Sequence, residues 1–354
     1  MGLTPFKHLF AASALALGLI GAAQAEPKQT FNVAWTLYAG WMPWKYADDS
    51  GIMKKWADKY GIVVNIEQIN DYVESINQYS AGQYDAVVAT SMDALSIPAV
   101  GGVDTTAILM GSYSEGNDGV VSKSAKSLAE LKGEQVHLVE LSVSHYLLAK
   151  ALDSAGLSEQ DIQVVNTSDA DLVAAFSTED VTTLATWNPM LQEVSSQPGA
   201  KLLFDSSQLA GHIKDLTIAN TQVLKDNPNF GKAITGAWYE ALAVLNSDTE
   251  AGANARAAMG EASGTDQQGY EAQLKTTHMF WEPTAAVSFI KSAKAREAFD
   301  SVRQFSFAHG LLGDGAESAD VVGVMFDQTL LGDADNIKLR FDPSFMQMAA
   351  DGTL

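Results

Sequence analysis

The chain contains no cysteine, and it contains no arginine before Arg256. Without cysteine it can form no disulfide bond, no thiolate metal site and no cysteine nucleophile. Arginine is the usual partner of carboxylate, sulfonate and phosphate groups, because its planar fork donates two parallel hydrogen bonds. A site built from the residues before Arg256 lacks that fork, which favours a cation or a neutral polar ligand. Lys45 and Lys123 are the lysines that could take its place.

Positive charge is scarce along the whole chain. Lysine and arginine number 22 against 43 acidic residues, so the formal net charge is -21 at pH 7. This excess of negative charge repels nucleic acid and anionic membrane surfaces, and neither is an expected partner. The hydrophobic fraction of 47% is typical of a globular protein, and 354 residues suit two lobes better than one core. The histidines show no metal-ligand spacing, so neither a metal nor a cofactor is expected.

A long apolar run near the N-terminus has the form of a secretory signal. Lys7 precedes the apolar residues 9–23, and Ala23-Gln24-Ala25 provides the small-x-small pattern of a cleavage site. Residues 1–25 are therefore predicted to be a cleavable signal peptide. The mature chain would begin near Glu26 and be soluble in the periplasm, without a lipid anchor because it lacks cysteine.

Aromatic residues are concentrated in the segment 35–46, with the sequence WTLYAGWMPWKY. Gly40 and Pro43 predict a turn, which would put these aromatics on a loop after the first strand. Trp41 and Trp44 are predicted to stack on a flat ligand through cation–π or π contacts. The alternative is that they pack this loop against a helix.

Strand and helix patterns alternate through the first half of the chain, which predicts a parallel sheet covered by helices. After about residue 220 the pattern becomes mostly helical. Crossovers near 111–117 and 211–218 would divide the chain into two α/β lobes joined by a hinge. Lobe 1 is predicted to comprise residues 26–113 and 216–354, and lobe 2 residues 114–215.

Ligands of open α/β sheets bind at the carboxyl ends of strands, so the residues that follow predicted strands are the site candidates. Glu140 ends an apolar strand and is the preferred counter-charge for a cation, with a lysine partner as the alternative. Asp93 either caps a helix or accepts two hydrogen bonds from a guanidinium. Asp118 is either a hinge ligand or a turn residue. The remaining polar and aromatic candidates are Thr90, Ser91, Ser142, Ser144 and Trp187.

Four short motifs together resemble the periplasmic substrate-binding proteins of ABC importers. They are AGQYDA at 81–86, SLAELKG at 127–133, SHYLL at 144–148 and TWNP at 186–189. The resemblance covers essentially the whole chain after the signal segment. It implies a type II periplasmic binding protein fold, two α/β lobes with a helical C-terminal part, in a monomer that closes over a small molecule. It also implies permease and ATPase partners, and no catalysis.

Within that family the chain resembles the branch that binds nitrate, sulfonate, taurine and thiamine precursors. WMPW, TSMDAL, SEGNDG and VELSVSHYLL are similar to the binding proteins encoded beside urea-carboxylase-type enzymes. This resemblance implies a planar, nitrogen-rich ligand. Guanidinium is preferred, urea or another small amide is the alternative, and nitrate or a sulfonate is less favoured.

Two other function classes stay open beside import. The thiamine-pyrimidine synthases share this fold and are enzymes, but they resemble cytosolic proteins with cysteine motifs that this chain lacks. A periplasmic sensor partner would load a receptor instead of a permease.

Overall fold

The computed structural model describes residues 1–2 and 28–354. The predicted signal peptide and the predicted start of the mature chain at Glu26 lie outside the described residues, apart from the first two. In the described part, no helix combines the length and the apolar character needed to cross a membrane.

Nine strands form the larger of two sheets. They are β1 (Thr30–Trp35), β2 (Val63–Gln68), β3 (Ala86–Thr90), β4 (Thr105–Ser114), β10 (Lys214–Asn220), β11 (Thr277–Met279), β12 (Gly323–Phe326), β13 (Thr329–Leu331) and β14 (Ile337–Phe341). Their order is β13-β12-β14-β4-β10-β3-β1-β2, and β11 pairs with β4. β10 lies antiparallel between β3 and β4, whereas β1 is parallel to both β2 and β3.

Five strands form the smaller sheet. They are β5 (Asp118–Ser122), β6 (Gln135–Leu138), β7 (Gln163–Asn166), β8 (Thr183–Trp187) and β9 (Lys201–Asp205), and their order is β7-β6-β8-β5-β9. β6 is parallel to both β7 and β8, whereas β5 is antiparallel to β8 and β9. The chain enters this sheet after β4 and returns to the larger sheet at β10, so two crossovers connect the sheets.

In residues 28–354, fourteen α-helices pack on the sheets. They are α1 (Met42–Asp49), α2 (Ile52–Tyr60), α3 (Tyr72–Ser80), α4 (Ser91–Ala94), α5 (Val143–Ser154), α6 (Asp169–Phe176), α7 (Met190–Ser195), α8 (Thr221–Asp226), α9 (Pro228–Leu245), α10 (Glu250–Ala262), α11 (Gln267–Leu274), α12 (Pro283–Ile290), α13 (Ala293–Ala308) and α14 (Ser344–Ala350). One large apolar core surrounds the larger sheet. Two smaller cores serve the second sheet. The predicted alternation of strands and helices in two α/β lobes is confirmed.

Two parts of the structure differ from the predicted secondary structure. The aromatic segment was predicted to be a loop, but its second half is α1, with Pro43 in the first turn where proline is favoured. The C-terminal part was predicted to be mostly helical, yet it contributes β12, β13 and β14. These strands have only three to five residues each, too few for an alternating pattern to distinguish them from buried loops.

Candidate functional site

A small cavity lies where the chain crosses between the two sheets. Its lining residues are Tyr38, Trp41, Tyr72, Thr90, Asp118, Val143, Trp187, Ile213 and Asp215. The cavity volume is about 20 Å³. A single water needs ~10–15 Å³ on this measure. The cavity therefore suits a ligand of only a few non-hydrogen atoms.

Aromatic rings form most of the cavity wall. Trp41 stacks on Tyr72 with ring centroids 5.7 Å apart, and Tyr72 meets the edge of Trp187 at 5.8 Å. Tyr38 packs edge-on against Trp41 at 4.9 Å. The Nε1–H of Trp187 donates to the Leu37 carbonyl at 3.3 Å, which connects the smaller sheet to the loop after β1. The electron-rich faces of such rings attract a cation.

Two carboxylates complete the cavity. Asp118 begins β5 and is paired in register with Trp187 of β8, so both side chains belong to the same end of the smaller sheet. Asp215 comes from β10, and each carboxylate is 2% exposed. Tyr38 and Ser112 donate to one oxygen of Asp215 at 3.0 and 2.6 Å. Among the described residues, Oδ2 of Asp118 has no hydrogen-bond partner.

Burial raises the pKa of Asp118 to about 7 and that of Asp215 to about 7. The hydroxyl of Ser114 opposes the shift at Asp118, and the hydroxyls of Ser112 and Tyr38 oppose it at Asp215. The charge of Asp118 raises the pKa of Asp215 further. In the described part of the chain, no lysine or arginine lines the cavity. Burying an unpaired carboxylate costs free energy. A cation bound in the cavity would therefore stabilise the charged form of these two acids.

The lysines that could have supplied a positive charge lie elsewhere. Lys45 pairs with Asp49 on the surface of α1 at 2.9 Å. Lys123 donates to the carbonyls of Phe176 and Thr178. Lys214 precedes Asp215 in β10, and because neighbouring side chains of a strand point to opposite faces, its Nζ lies over the Phe299 ring.

Asp93 lies directly behind the cavity wall. Its Oδ2 accepts hydrogen bonds from the Tyr72 hydroxyl at 2.7 Å and from Thr90 Oγ1 at 2.8 Å. The carboxylate also accepts the backbone N–H of Val143 at the start of α5. Burial raises its pKa to about 6, against the effect of these hydrogen bonds. Asp93 therefore orients Tyr72 and ties α4 to the first turn of α5.

The structure brings four of the predicted site residues together at the cavity. They are Trp41, Thr90, Asp118 and Trp187. Asp93 contacts two lining residues without lining the cavity itself. Ser142 accepts the Ser144 backbone N–H at 3.1 Å and so caps α5. The hydroxyls of Ser91 and Ser144 are buried, and neither residue lines the cavity.

Trp44 and Glu140, two predicted site residues, lie away from the cavity. Because residues 42–49 are helical, Trp44 turns into the core and packs on Trp238 with ring centroids 5.1 Å apart. Glu140 is exposed, and its backbone N–H donates to the Asn166 side chain at 3.0 Å. Neither residue is among the cavity lining, so the predicted stacking partner and the predicted counter-charge are not brought to it.

Tyr72 and Asp215 line the cavity but were not predicted as site residues. Tyr72 begins α3 after a single capping aspartate, a pattern that indicates only a helix start. Asp215 lay in a segment predicted to be a crossover. The available signal was an acid inside the apolar stretch 213–219, because a charge in such a strand must be paired or face a cleft.

Comparison with known proteins agrees with this architecture. Residues 25–260 match the model of the NMT1-like family. A curated relative from Escherichia coli (strain K12), which carries the name of an aliphatic sulfonates-binding protein, is 33% identical over 125 residues. That alignment covers 35% of this chain and 39% of the relative, so the chain spans about two fifths of the relative's length.

Solved structures show the same fold. The alkanesulfonate-binding protein from Xanthomonas axonopodis pv. citri, bound to MOPS, gives a TM-score of 0.66 at 17% identity, over 82% of this chain and 96% of that one. The periplasmic aliphatic sulphonate-binding protein of Escherichia coli gives 0.65 at 19% identity, over 82% and 95%. The predicted periplasmic binding protein fold is thereby confirmed.

Proposed function

The chain belongs to the NMT1-like family, and from that premise we propose that it is the solute-binding component of an ABC importer whose ligand is guanidinium. One observation carries the choice of ligand. Two buried carboxylates, Asp118 and Asp215, face an aromatic cavity that no lysine or arginine lines among the described residues. A cation of a few non-hydrogen atoms would fit the size of the cavity and bring a positive charge to both carboxylates.

The faces and the edges of guanidinium match different parts of the cavity. Its flat faces would lie against the rings of Trp41, Tyr72 and Trp187, which attract a cation through their electron-rich faces. Its edges carry N–H donors, which would bind Oδ2 of Asp118 and the carboxylate of Asp215 by charge-assisted hydrogen bonds. Binding would thus place one positive charge between two acids that have no lysine or arginine beside them among the described residues of the cavity.

Two other ligands are weaker candidates. Urea has a similar planar shape and fits the volume, but it carries no charge and would leave both acids uncompensated. Sulfonates are suggested by the names of the relatives. A sulfonate in this cavity would have to bind beside Asp118 and Asp215, and like charges at short distance repel.

The remaining parts of the proposal follow from the family. The protein would be a periplasmic monomer, exported by its signal peptide, and would deliver its ligand to a permease driven by an ATPase. It would catalyse no reaction. Residues 26–113 with 216–354 and residues 114–215 would be the lobes that close over the cavity.

A ligand panel tests this proposal. Purified protein would be titrated calorimetrically at pH 8 with guanidinium chloride, sodium nitrate and taurine at one ionic strength, with sodium chloride as the control. We expect binding of guanidinium and none of nitrate or taurine. Saturable binding of nitrate or taurine, without measurable binding of guanidinium, would overturn the assignment of a cation site.

A further inference from the structure

The side chains that line the cavity also enclose it. None of its nine described lining residues is more than 5% exposed. A ligand held in this arrangement is surrounded by protein and has no outlet for a substituent. The cavity volume of about 20 Å³ corresponds to one or two water molecules, at ~10–15 Å³ each. A planar molecule the size of guanidinium or urea would leave little of that space empty.

The walls of the cavity come from two different cores. The aromatic rings that line it belong to the large core around the nine-stranded sheet. Val143 and Ile213 belong to one of the two cores of the smaller sheet. Among the described lining residues, these two are the only aliphatic ones. The cavity therefore has an aliphatic wall that consists of Val143 and Ile213.

The start of α5 holds Val143 at the cavity. Val143 is the first residue of that helix, which Ser142 caps by accepting the Ser144 N–H at 3.1 Å. The N–H of Val143 is accepted by Asp93, so the backbone on both sides of the side chain is bonded. A valine in a helix strongly prefers one rotamer, because its β-branch restricts the first torsion angle. Its methyl groups are therefore held against the cavity.

The crossover between the sheets holds Ile213. This residue directly precedes β10, and its carbonyl accepts the N–H of Ser114, the last residue of β4, at 2.9 Å. Its side chain is 2% exposed and packs in the same core cluster as Val143. Packed side chains of this kind resist the insertion of an additional methyl group.

We propose that Val143 and Ile213 are specificity-determining residues that restrict the cavity to a planar ligand no larger than guanidinium or urea. Their side chains offer neither charge nor a hydrogen-bonding group, so their contribution is the volume that they occupy. N-alkylated guanidines and ureas are excluded, although their planar centre and their charge match those of the parent molecules. This inference deepens the proposed function and rests on it for the identity of the site, but it concerns the size of the ligand rather than its charge.

Matched pairs of ligands test size separately from charge. Calorimetric titrations at pH 8 and one ionic strength would compare guanidinium with methylguanidinium, and urea with methylurea. For a parent that binds, the wild-type protein should bind the methyl derivative at least about tenfold more weakly, because one additional methyl group must enter packed space. Val143→Ala should reduce that ratio by about tenfold, because the space that it opens is apolar and suits a methyl group.

A second variant and a control accompany this experiment. Ile213→Val removes a single carbon from the same wall, so it should reduce the ratio by a smaller factor, and it keeps the test available if Val143→Ala does not fold. Val136→Ala removes the same atoms as Val143→Ala from the same core cluster, but Val136 does not line the cavity. Its ratio should equal that of the wild type.

The outcomes separate this inference from the proposed ligand. Equal binding of a parent and its methyl derivative by the wild-type protein would overturn the size limit and leave the proposed ligand unaffected. Binding of urea alone would contradict guanidinium as the ligand, while the urea pair would still test the size limit. Absence of binding by both parents would overturn both proposals. An unchanged ratio in both Val143→Ala and Ile213→Val would contradict the role of these two residues.

Discussion

Two regions of the molecule bury charge in opposite ways. At the end of α13, Arg303 is 2% exposed, and its terminal nitrogens donate to Asp300 and Asp320 at 2.6 Å each and to the Ala319 carbonyl at 2.8 Å. At the cavity, Asp118 and Asp215 are equally buried, and hydroxyl groups are their main partners. The first region supplies opposite charge to its buried ion, and the second does not.

The difference separates a structural charge from a binding charge. A buried ion that is paired and hydrogen-bonded recovers much of the free energy lost when it leaves water. A buried ion without a counter-charge lowers stability, and it persists where a function requires it. Arg303 is of the first kind. Asp118 and Asp215 are of the second, and their missing counter-charge is the property that the proposed ligand supplies.

The largest effect is expected from removing the paired charge. Arg303→Met should lower the free energy of unfolding by about 3 kcal/mol, because it removes the three hydrogen bonds of a buried guanidinium. Guanidinium affinity should stay the same in the folded protein, since Arg303 does not line the cavity. Urea denaturation and calorimetry on one preparation would measure both quantities. A loss of affinity without a loss of stability would undo the distinction between the two regions.

Removing the unpaired carboxylate should weaken binding without lowering the stability of the protein. Asp118→Asn should weaken guanidinium binding by about 1.5–3 kcal/mol, the range of a hydrogen bond to a charged group. The ligand-free variant should be at least as stable as the wild type at pH 8, because an uncompensated buried charge has been removed. Calorimetry and thermal unfolding would test this. Reduced stability with unchanged affinity would instead make Asp118 a structural residue.

The same charges predict the pH dependence of binding. Both acids are neutral below their pKa of about 7 and charged above it, while guanidinium stays charged throughout. Affinity should therefore rise by about tenfold per pH unit for each proton released, between pH 6 and 7, and level off above pH 8. Calorimetric titrations at a series of pH values would measure this dependence. An affinity that is independent of pH would contradict charged acids in the cavity.

The smallest effect is expected at an exposed acid. Glu140→Gln should change guanidinium affinity and stability by less than about 0.5 kcal/mol, because the side chain is exposed and outside the cavity. Its titration should run beside that of Asp118→Asn as the matched carboxylate-to-amide control. A loss of binding as large as that of Asp118→Asn would identify Glu140 as the acid that pairs with the ligand.

Local signals in the sequence were sufficient for most of the elements. The long helices α9 and α13 lie in the C-terminal part that the sequence predicts to be mostly helical. Thr90 and Trp187, which were proposed because they lie at the carboxyl ends of strands, both line the cavity, and Asp118 lines it from the start of β5. The rule about strand ends succeeds because the carboxyl ends of strands face the crevice in such folds.

The orientation of side chains could not be predicted in the same way. Trp41 and Trp44 are three residues apart in one aromatic segment, yet one lines the cavity and the other is in the core. Their separation depends on where α1 begins and how it packs on α9, which is a tertiary property. Asp215 reaches the cavity because β10 inserts between β3 and β4, a pairing of residues more than a hundred positions apart. No local pattern encodes that register.

The selectivity between guanidinium and urea tests the central claim most directly, because the two molecules share a planar shape and differ in charge. Calorimetric titration of the wild-type protein with each, at pH 8 and one ionic strength, gives the ratio of their dissociation constants. If Asp118 and Asp215 bind a cation, guanidinium should bind at least about 100-fold more tightly, the value of two charge-assisted contacts at ~1.5 kcal/mol each. Equal affinities, or tighter binding of urea, would contradict a cation site.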